Sequence, residues 1–484
     1  MMKNIKGLLE YAKKSGDYLY YVVATVLHSG LHFIFSVYAK AYVMPLEYGI
    51  YSSCLLLQTY LTYLQLGSLN AFNRDYPQLL GAGKKDEAHE YRDTTFTFLL
   101  FAFGGALIII LCILFILSKT SNIDSRYIGG LAFCAVITGT TIIENFGASK
   151  TRIDGKFKTV STVMMLEMTS LLLGVVLVKR VGYYGIYITS LIGFLIGIVL
   201  YIKPAYSDVK IGINSKLLKK ILLSGLPLLI NGLIWTVVNS IDKFVILGFI
   251  NTEALGVYAI AQNAFSYMVL IPTAMSQLFY VKMGRVYGEK SDVKVLSSVG
   301  IHFTSILAVL MSFLSVIAYF LSPYLVEKLM PDYSGGIISA QILILGLTIY
   351  APTLVNGNIL TILKKNAAIL RSSVYLCILN AVCSVLYVLV LGARIESVAL
   401  GTVTAYLIRT FIIVYQLKKY ADCKIWELLK FSVFPVLAVL VISVIIYSTI
   451  DNKFIGMLIC LACVAIVYTV LYRSKIVSIV RGEK

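Results

Sequence analysis

Fourteen apolar segments, each about long enough for a helix to cross a bilayer core, are joined by loops that alternate between Lys/Arg-rich and Lys/Arg-poor. Few folds accommodate that pattern. The segments lie near residues 18–44, 48–72, 94–117, 128–148, 159–178, 183–202, 222–250, 254–281, 298–321, 335–362, 369–391, 396–417, 431–450 and 454–472. Hydrophobic residues make up 59% of the 484, only 14% are charged, and the mean hydropathy is +0.85. So apolar a chain does not stay dissolved, and the expectation is an all-α integral membrane protein of about 14 transmembrane helices. A net charge of +18 would suggest nucleic acid in a soluble domain. Here the positive residues sit in short loops, so they report topology and no nucleic-acid partner is expected.

With the N-terminus inside, thirty-two Lys and Arg residues fall on the cytoplasmic side, in groups such as Lys84, Lys85 and Arg92 or Lys216, Lys219 and Lys220. Only seven fall outside: Lys119, Arg126, Lys179, Arg180, Lys328, Arg394 and Lys453. Both termini are therefore expected in the cytoplasm. Ahead of the first span, Ile5, Leu8, Leu9 and Ala12 share one helical face and Lys3, Lys6, Lys13 and Lys14 lie elsewhere, the pattern of a segment resting on the membrane surface. No small-residue cleavage site follows the first span, so a removable signal peptide is not expected. Seven of eight cysteines lie inside spans and read as packing residues; Cys460 and Cys463 have CxxC spacing but no second ligand pair, so no metal is expected.

One helix motif occurs twice. Pro45-Leu46-Glu47-Tyr48-Gly49-Ile50-Tyr51 opens the second span and Thr252-Glu253-Ala254-Leu255-Gly256-Val257-Tyr258 opens the eighth, pairing Gly49 with Gly256 and Tyr51 with Tyr258. Copies six helices apart share an orientation, which predicts two parallel six-helix bundles, residues 1–203 and 204–420, around a central cleft. Residues 421–484 add two further helices. The helix before each motif carries a polar stripe at four-residue spacing: His28, His32, Ser36 and Lys40 in the first span, and Asn231, Trp235, Asn239 and Lys243 in the seventh. Polar groups against lipid are costly, so the stripes are expected to line the cleft or to bond between helices.

The duplicated motif, the Gly225-Leu226-Pro227 start of span seven and the Ile241-Asp242-Lys243 stretch late in it resemble the polysaccharide-transport flippases. Their superfamily also holds multidrug extrusion proteins and the peptidoglycan-precursor flippase. The resemblance covers nearly the whole chain and rests on where short motifs stand in a six-plus-six-plus-two layout. It implies movement of an undecaprenyl-pyrophosphate-linked oligosaccharide from the cytoplasmic to the outer leaflet of a bacterial inner membrane, for O-antigen, capsule or exopolysaccharide. Proton or sodium coupling, a polysaccharide polymerase and a chain-length regulator are further implied partners. A multidrug exporter is the alternative from the same superfamily.

Such a cargo needs a polar, cationic path, because a pyrophosphate and a wet glycan cannot cross hydrocarbon unaided. Arg409, Lys243, Arg74 and Lys40 are the candidate cations, with Asn231 and Asn239 as polar lining. Arg409 lies nine residues before Lys418, about 13 Å along a helix, too deep for easy snorkelling and the best phosphate-binding candidate. Lys40 and Arg74 have ordinary readings too, snorkelling and positive-inside topology. Glu144, Glu167 and Asp242 are the carboxylates within spans and the candidates for ion coupling, Glu167 first, with a Glu167–Arg409 salt bridge as the structural alternative. Gly81-Ala82-Gly83-Lys84-Lys85 lacks the spacing of a nucleotide-binding loop, so transport is expected to be secondary, with no cofactor. A membrane polymerase or acyltransferase is disfavoured because the outer loops are short and no third metal ligand stands near His28 and His32.

Overall fold

The computed structural model describes residues 2–120, 123–421, 423 and 425–480, and most of these are helical, with no strand among the described residues. Two compact units divide the chain, residues 1–236 and 237–484. The first contains α1 (Met2–Lys40), α2 (Pro45–Leu61), α3 (Ser68–Gly81), α4 (Lys85–Thr120), α5 (Ser125–Ile153), α6 (Phe157–Glu167), α7 (Thr169–Val181) and α8 (Tyr184–Tyr201). The boundary falls inside α9 (Ser215–Phe249). The second unit continues with α10 (Thr252–Met268), α11 (Leu270–Lys290), α12 (Val293–Leu329), α13 (Ile337–Ile362), α14 (Asn366–Leu391) and α15 (Ile395–Ala421). A short α16 (Ile425–Leu428) leads to α17 (Phe434–Thr449) and α18 (Lys453–Val480).

Among the described residues, eleven helices are long and apolar enough to cross a membrane, and α17 is a shorter apolar one. The second predicted span departs from the expected single helix. It breaks between α2 and α3 through a 3-10 turn at Thr62–Gln65, after which Leu66 and Gly67 take φ of 48° and 77°. Glycine enters this left-handed region without the steric penalty other residues meet. The eighth span breaks between α10 and α11 at Val269, which stands in the same register from Gly256 as Thr62 does from Gly49. The duplicated motif therefore repeats its interruption as well as its start. Span five is likewise divided, at Met168 between α6 and α7.

The starts of these helices follow local chemistry. Pro45 occupies the first turn of α2 after an extended Met44, where its missing N–H costs nothing. At α10 the Asn251 side chain accepts the Ala254 N–H at 2.8 Å and caps the end, and Glu253 complements the helix dipole. α1 runs unbroken into the first predicted span; the amphipathic side chains of residues 1–16 lie outside the described residues.

Each unit has a buried core of large side chains. In the first, Phe72, Tyr76, Tyr91, Leu99 and Phe146 form a core between α3, α4 and α5. In the second, α17 and α18 pack on α12 and α13 through Val316, Phe320, Ile344, Val439, Cys460 and Val464, and Tyr468 bonds Ser312 at 2.8 Å.

Candidate functional site

Asp242 is the polar centre of the second unit. It is only 8% exposed, and both carboxylate oxygens are occupied. Tyr258 donates its hydroxyl to Oδ2 at 2.6 Å, and Oδ1 lies 2.8 Å from Thr402 Oγ1 and 3.2 Å from Asn380 Nδ2. The network then extends. Asn380 Oδ1 stands 3.1 Å from both Thr402 Oγ1 and Ser384 Oγ, and those hydroxyls lie 3.2 and 3.4 Å from the Val398 carbonyl. Oxygen atoms of Asp242, Asn380, Ser384, Val398 and Thr402 thus converge from α9, α14 and α15. Buried hydrogen bonds to a charged group contribute roughly 1.5–3 kcal/mol each, so the cluster is rigid as well as polar.

Geometry explains why these residues meet. Asn380 and Ser384 are one helical turn apart on α14 and so share a face, and Thr402, Tyr406 and Arg409 run down one face of α15. Gly401 lets α15 sit directly on α14, since a methyl there would meet the Ser384 backbone N at 2.5 Å.

Beside Asp242 opens a cavity of about 330 Å³. Asn239 and Lys243 from α9, Gln262, Phe265 and Ser266 from α10, and Tyr406 from α15 line it. Phe265 and Tyr406 are nearly parallel, with centroids 5.8 Å apart and planes at 16°, and Tyr350 closes the cluster 4.9 Å from Tyr406. Arg409 lies beyond that aromatic group. It is 5% exposed, donates to Thr353 Oγ1 at 3.2 Å, and holds its guanidinium 5.8 Å from the Tyr350 ring centroid.

The first unit has its own carboxylates. Glu144 of α5 and Glu167 of α6 converge on Gly197 of α8. A methyl on Gly197 would overlap Glu167 Oε1 and stand 2.9 Å from Glu144 Cγ, so glycine makes the room that both side chains occupy. Glu167 Oε1 is buried with no hydrogen-bond partner. Within its unit Glu167 stands against Glu144 and Gly197, and Arg409 in its own unit has Thr353 and Tyr350 among its neighbours.

The remaining predicted residues fall in different settings. Lys40 is 2% exposed and donates to Ser36 Oγ at 2.9 Å and Tyr48 Oη at 3.0 Å, which ties the end of α1 to the start of α2. The second unit makes the matching tie with opposite charge, Asp242 to Tyr258. Arg74 is 44% exposed and pairs with its neighbour Asp75 at 2.6 Å, and Asp75 also accepts from Tyr91 and Ser224, each at 3.0 Å. Asn231 is exposed on α9, and the His28 and His32 rings lie with centroids 4.4 Å apart and planes tilted by 48°. Asn239, Asp242 and Lys243 are the predicted residues that meet at one cavity.

Tyr258, Gln262, Asn380, Ser384 and Thr402 were not singled out as site residues from the sequence. A signal was present for one pair, since Asn380 and Ser384 stand four apart in an otherwise apolar helix.

No curated protein sequence matches the chain closely enough to count as a relative. Among solved structures, the lipid II flippase MurJ in an inward-closed conformation aligns with a TM-score of 0.66 at 17% identity, over 94% of this chain and 99% of that one. An inward-facing multidrug-resistance MATE transporter aligns with a TM-score of 0.64 at 14% identity, over 82% and 95%. A transporter of the same superfamily from Pyrococcus furiosus gives 0.59 at 13% identity, over 84% and 96%. The fold is that of multi-pass flippases and exporters, as the duplicated motif led us to expect. The family model described as "Polysaccharide biosynthesis protein" matches residues 43–332, and the chain belongs to that family.

Proposed function

We propose that the protein is a flippase that carries an undecaprenyl-pyrophosphate-linked oligosaccharide from the cytoplasmic to the outer leaflet of a bacterial inner membrane by alternating access. The family match over residues 43–332 carries this reading, because membership of a polysaccharide biosynthesis family on an exporter fold favours an intermediate of polysaccharide assembly as cargo. MurJ, a lipid II flippase, supports a lipid-linked cargo for the fold. In this reading the halves 1–203 and 204–420 rock about a shared cleft, both termini stay in the cytoplasm, and no bond is made or broken.

Coupling is assigned to Asp242. A monovalent cation is held by oxygen ligands in transporters of this architecture class, and carboxylate, amide, hydroxyl and carbonyl oxygens of five residues already converge there. Glu144 and Glu167 are the proton-carrying alternative, in the first unit. Arg409 is assigned to the pyrophosphate, reached when the aromatic group of Tyr350 and Tyr406 opens.

Deletion in the producing cell tests the reading. Surface polysaccharide should disappear while lipid-linked repeat units accumulate on the cytoplasmic face, and reconstituted protein should move a labelled lipid-linked oligosaccharide between leaflets. Asp242→Asn should fold and lose the dependence of transport on a sodium or proton gradient. A deletion strain with normal surface polysaccharide would sink the reading.

A further inference from the structure

We propose that the cavity beside Asp242 is a subsite for a single neutral pyranose ring of the cargo, an inference that rests on the flippase reading and names what part of the cargo the second unit holds. Its volume, about 330 Å³, is at the lower end of the roughly 300–1,000 Å³ of small-molecule pockets. That volume accommodates one sugar ring.

The lining chooses among cargo chemistries. Asn239 and Gln262 each carry a donor and an acceptor, which matches hydroxyl groups that both donate and accept, and Asn380 has a second amide N–H beyond the one it gives Asp242. Phe265 and Tyr406 add ring surface of the kind that apolar C–H faces of a pyranose cover. An organic cation would meet Lys243, and a phosphate would meet Asp242, on the same wall. Opposite charges side by side disfavour either ion and leave a polyhydroxylated neutral ligand as the best match. Asn380 also binds the Asp242 carboxylate, so a ring bonded to Asn380 and an ion held by Asp242 touch through one side chain. That contact gives a physical route by which cargo and ion sense each other.

The test uses the purified full-length protein in nanodiscs, titrated separately with glucose, galactose, rhamnose, N-acetylglucosamine and the organic cation tetraphenylphosphonium, with thermal stability as the readout. At least one sugar should stabilise the protein and the cation should not. Gln262→Ala and Asn239→Ala, which leave the Asp242 network intact, should each weaken the sugar effect about three- to tenfold, the size of one lost hydrogen bond. Silence from every sugar, stabilisation by the cation instead, or sugar stabilisation that both variants retain would overturn the subsite. If the deletion strain loses surface polysaccharide while the protein ignores all four sugars, the subsite falls and the flippase reading stands.

Discussion

Gly67 and Gly225 meet backbone to backbone. A methyl built on Gly67 would lie 2.6 Å from the Gly225 carbonyl carbon, and one built on Gly225 would overlap the Gly67 carbonyl oxygen and lie 2.7 Å from its carbon. The break in span two is thereby seated against the first turns of span seven, and Tyr63, in the 3-10 turn of that break, meets the Thr236 hydroxyl at 2.5 Å about three turns further along α9. Gly67→Ala adds left-handed strain to steric overlap, since φ is 77° there. We expect Gly67→Ala and Gly225→Ala each to cost roughly 2 kcal/mol or more in thermal unfolding. Gly104→Ala, on α4 with open space around it, should be neutral or mildly stabilising. Equal melting temperatures for all three variants would refute the close-contact argument.

A second prediction concerns pH. Between α8 and α9, Asp208 accepts from Arg92 Nη1 at 2.6 Å and pairs with Lys150 at 3.1 Å, while Arg92 Nη2 donates to the Asp208 carbonyl at 2.6 Å. These bonds pin the connection leading to α9 onto α4 and α5. Partial burial works to raise the Asp208 carboxyl, but the Lys150 hydrogen bond and the charges of Lys150 and Arg92 outweigh it and hold the group below its ordinary value of 3.8. A carboxylate depressed in the folded state contributes stability above its unfolded pKa and loses it as pH falls through the folded one. Asp208→Asn should therefore melt earlier than the parent at pH 7, and the gap should narrow below about pH 4. A gap independent of pH would mean that the carboxylate charge is not what holds the connection.

Arg409 separates binding from packing. Arg409→Ala should abolish cargo transport with near-normal abundance, and Arg409→Lys should rescue in part, because lysine lacks the bidentate fork. If Arg409 instead neutralised Glu167, the single change would destabilise the protein by about 3–5 kcal/mol and Glu167→Gln would restore it. Transport recovered in the double variant would remove Arg409 from the cargo path.

Topology gives the fourth prediction. Cysteines placed at Lys84 and Lys290, in the turns after the two copies of the motif, should both be labelled only from the cytoplasmic side. Labelling from opposite sides would end the parallel-repeat description.

Helical class and membrane-spanning character were readable because each depends on composition over about twenty residues, and lipid enforces that scale without reference to neighbouring helices, whereas the expected fourteen spans compare with eleven long apolar helices and one shorter one among the described residues. The pairing of Gly49 with Gly256 even anticipated that both copies share a register, though not that span two breaks at Gly67 and span eight at Val269. Those interruptions depend on contacts such as Gly67 against Gly225, more than 150 residues apart. The polar residues behave the same way. A lone charge in an apolar span announces that it has a partner and does not say which one. Asp242 was visible as an intramembrane carboxylate, but Tyr258, Asn380 and Thr402 reach it from three other helices, and their union was decided by how α10, α14 and α15 pack. Lys40 was likewise visible as part of a polar stripe expected to line a cleft or to bond between helices, and only packing shows that its ammonium meets Ser36 and Tyr48. Hydrophobicity acts locally along the chain and is written into it residue by residue, whereas hydrogen-bond geometry exists only once helices distant in sequence lie within about 3 Å of one another.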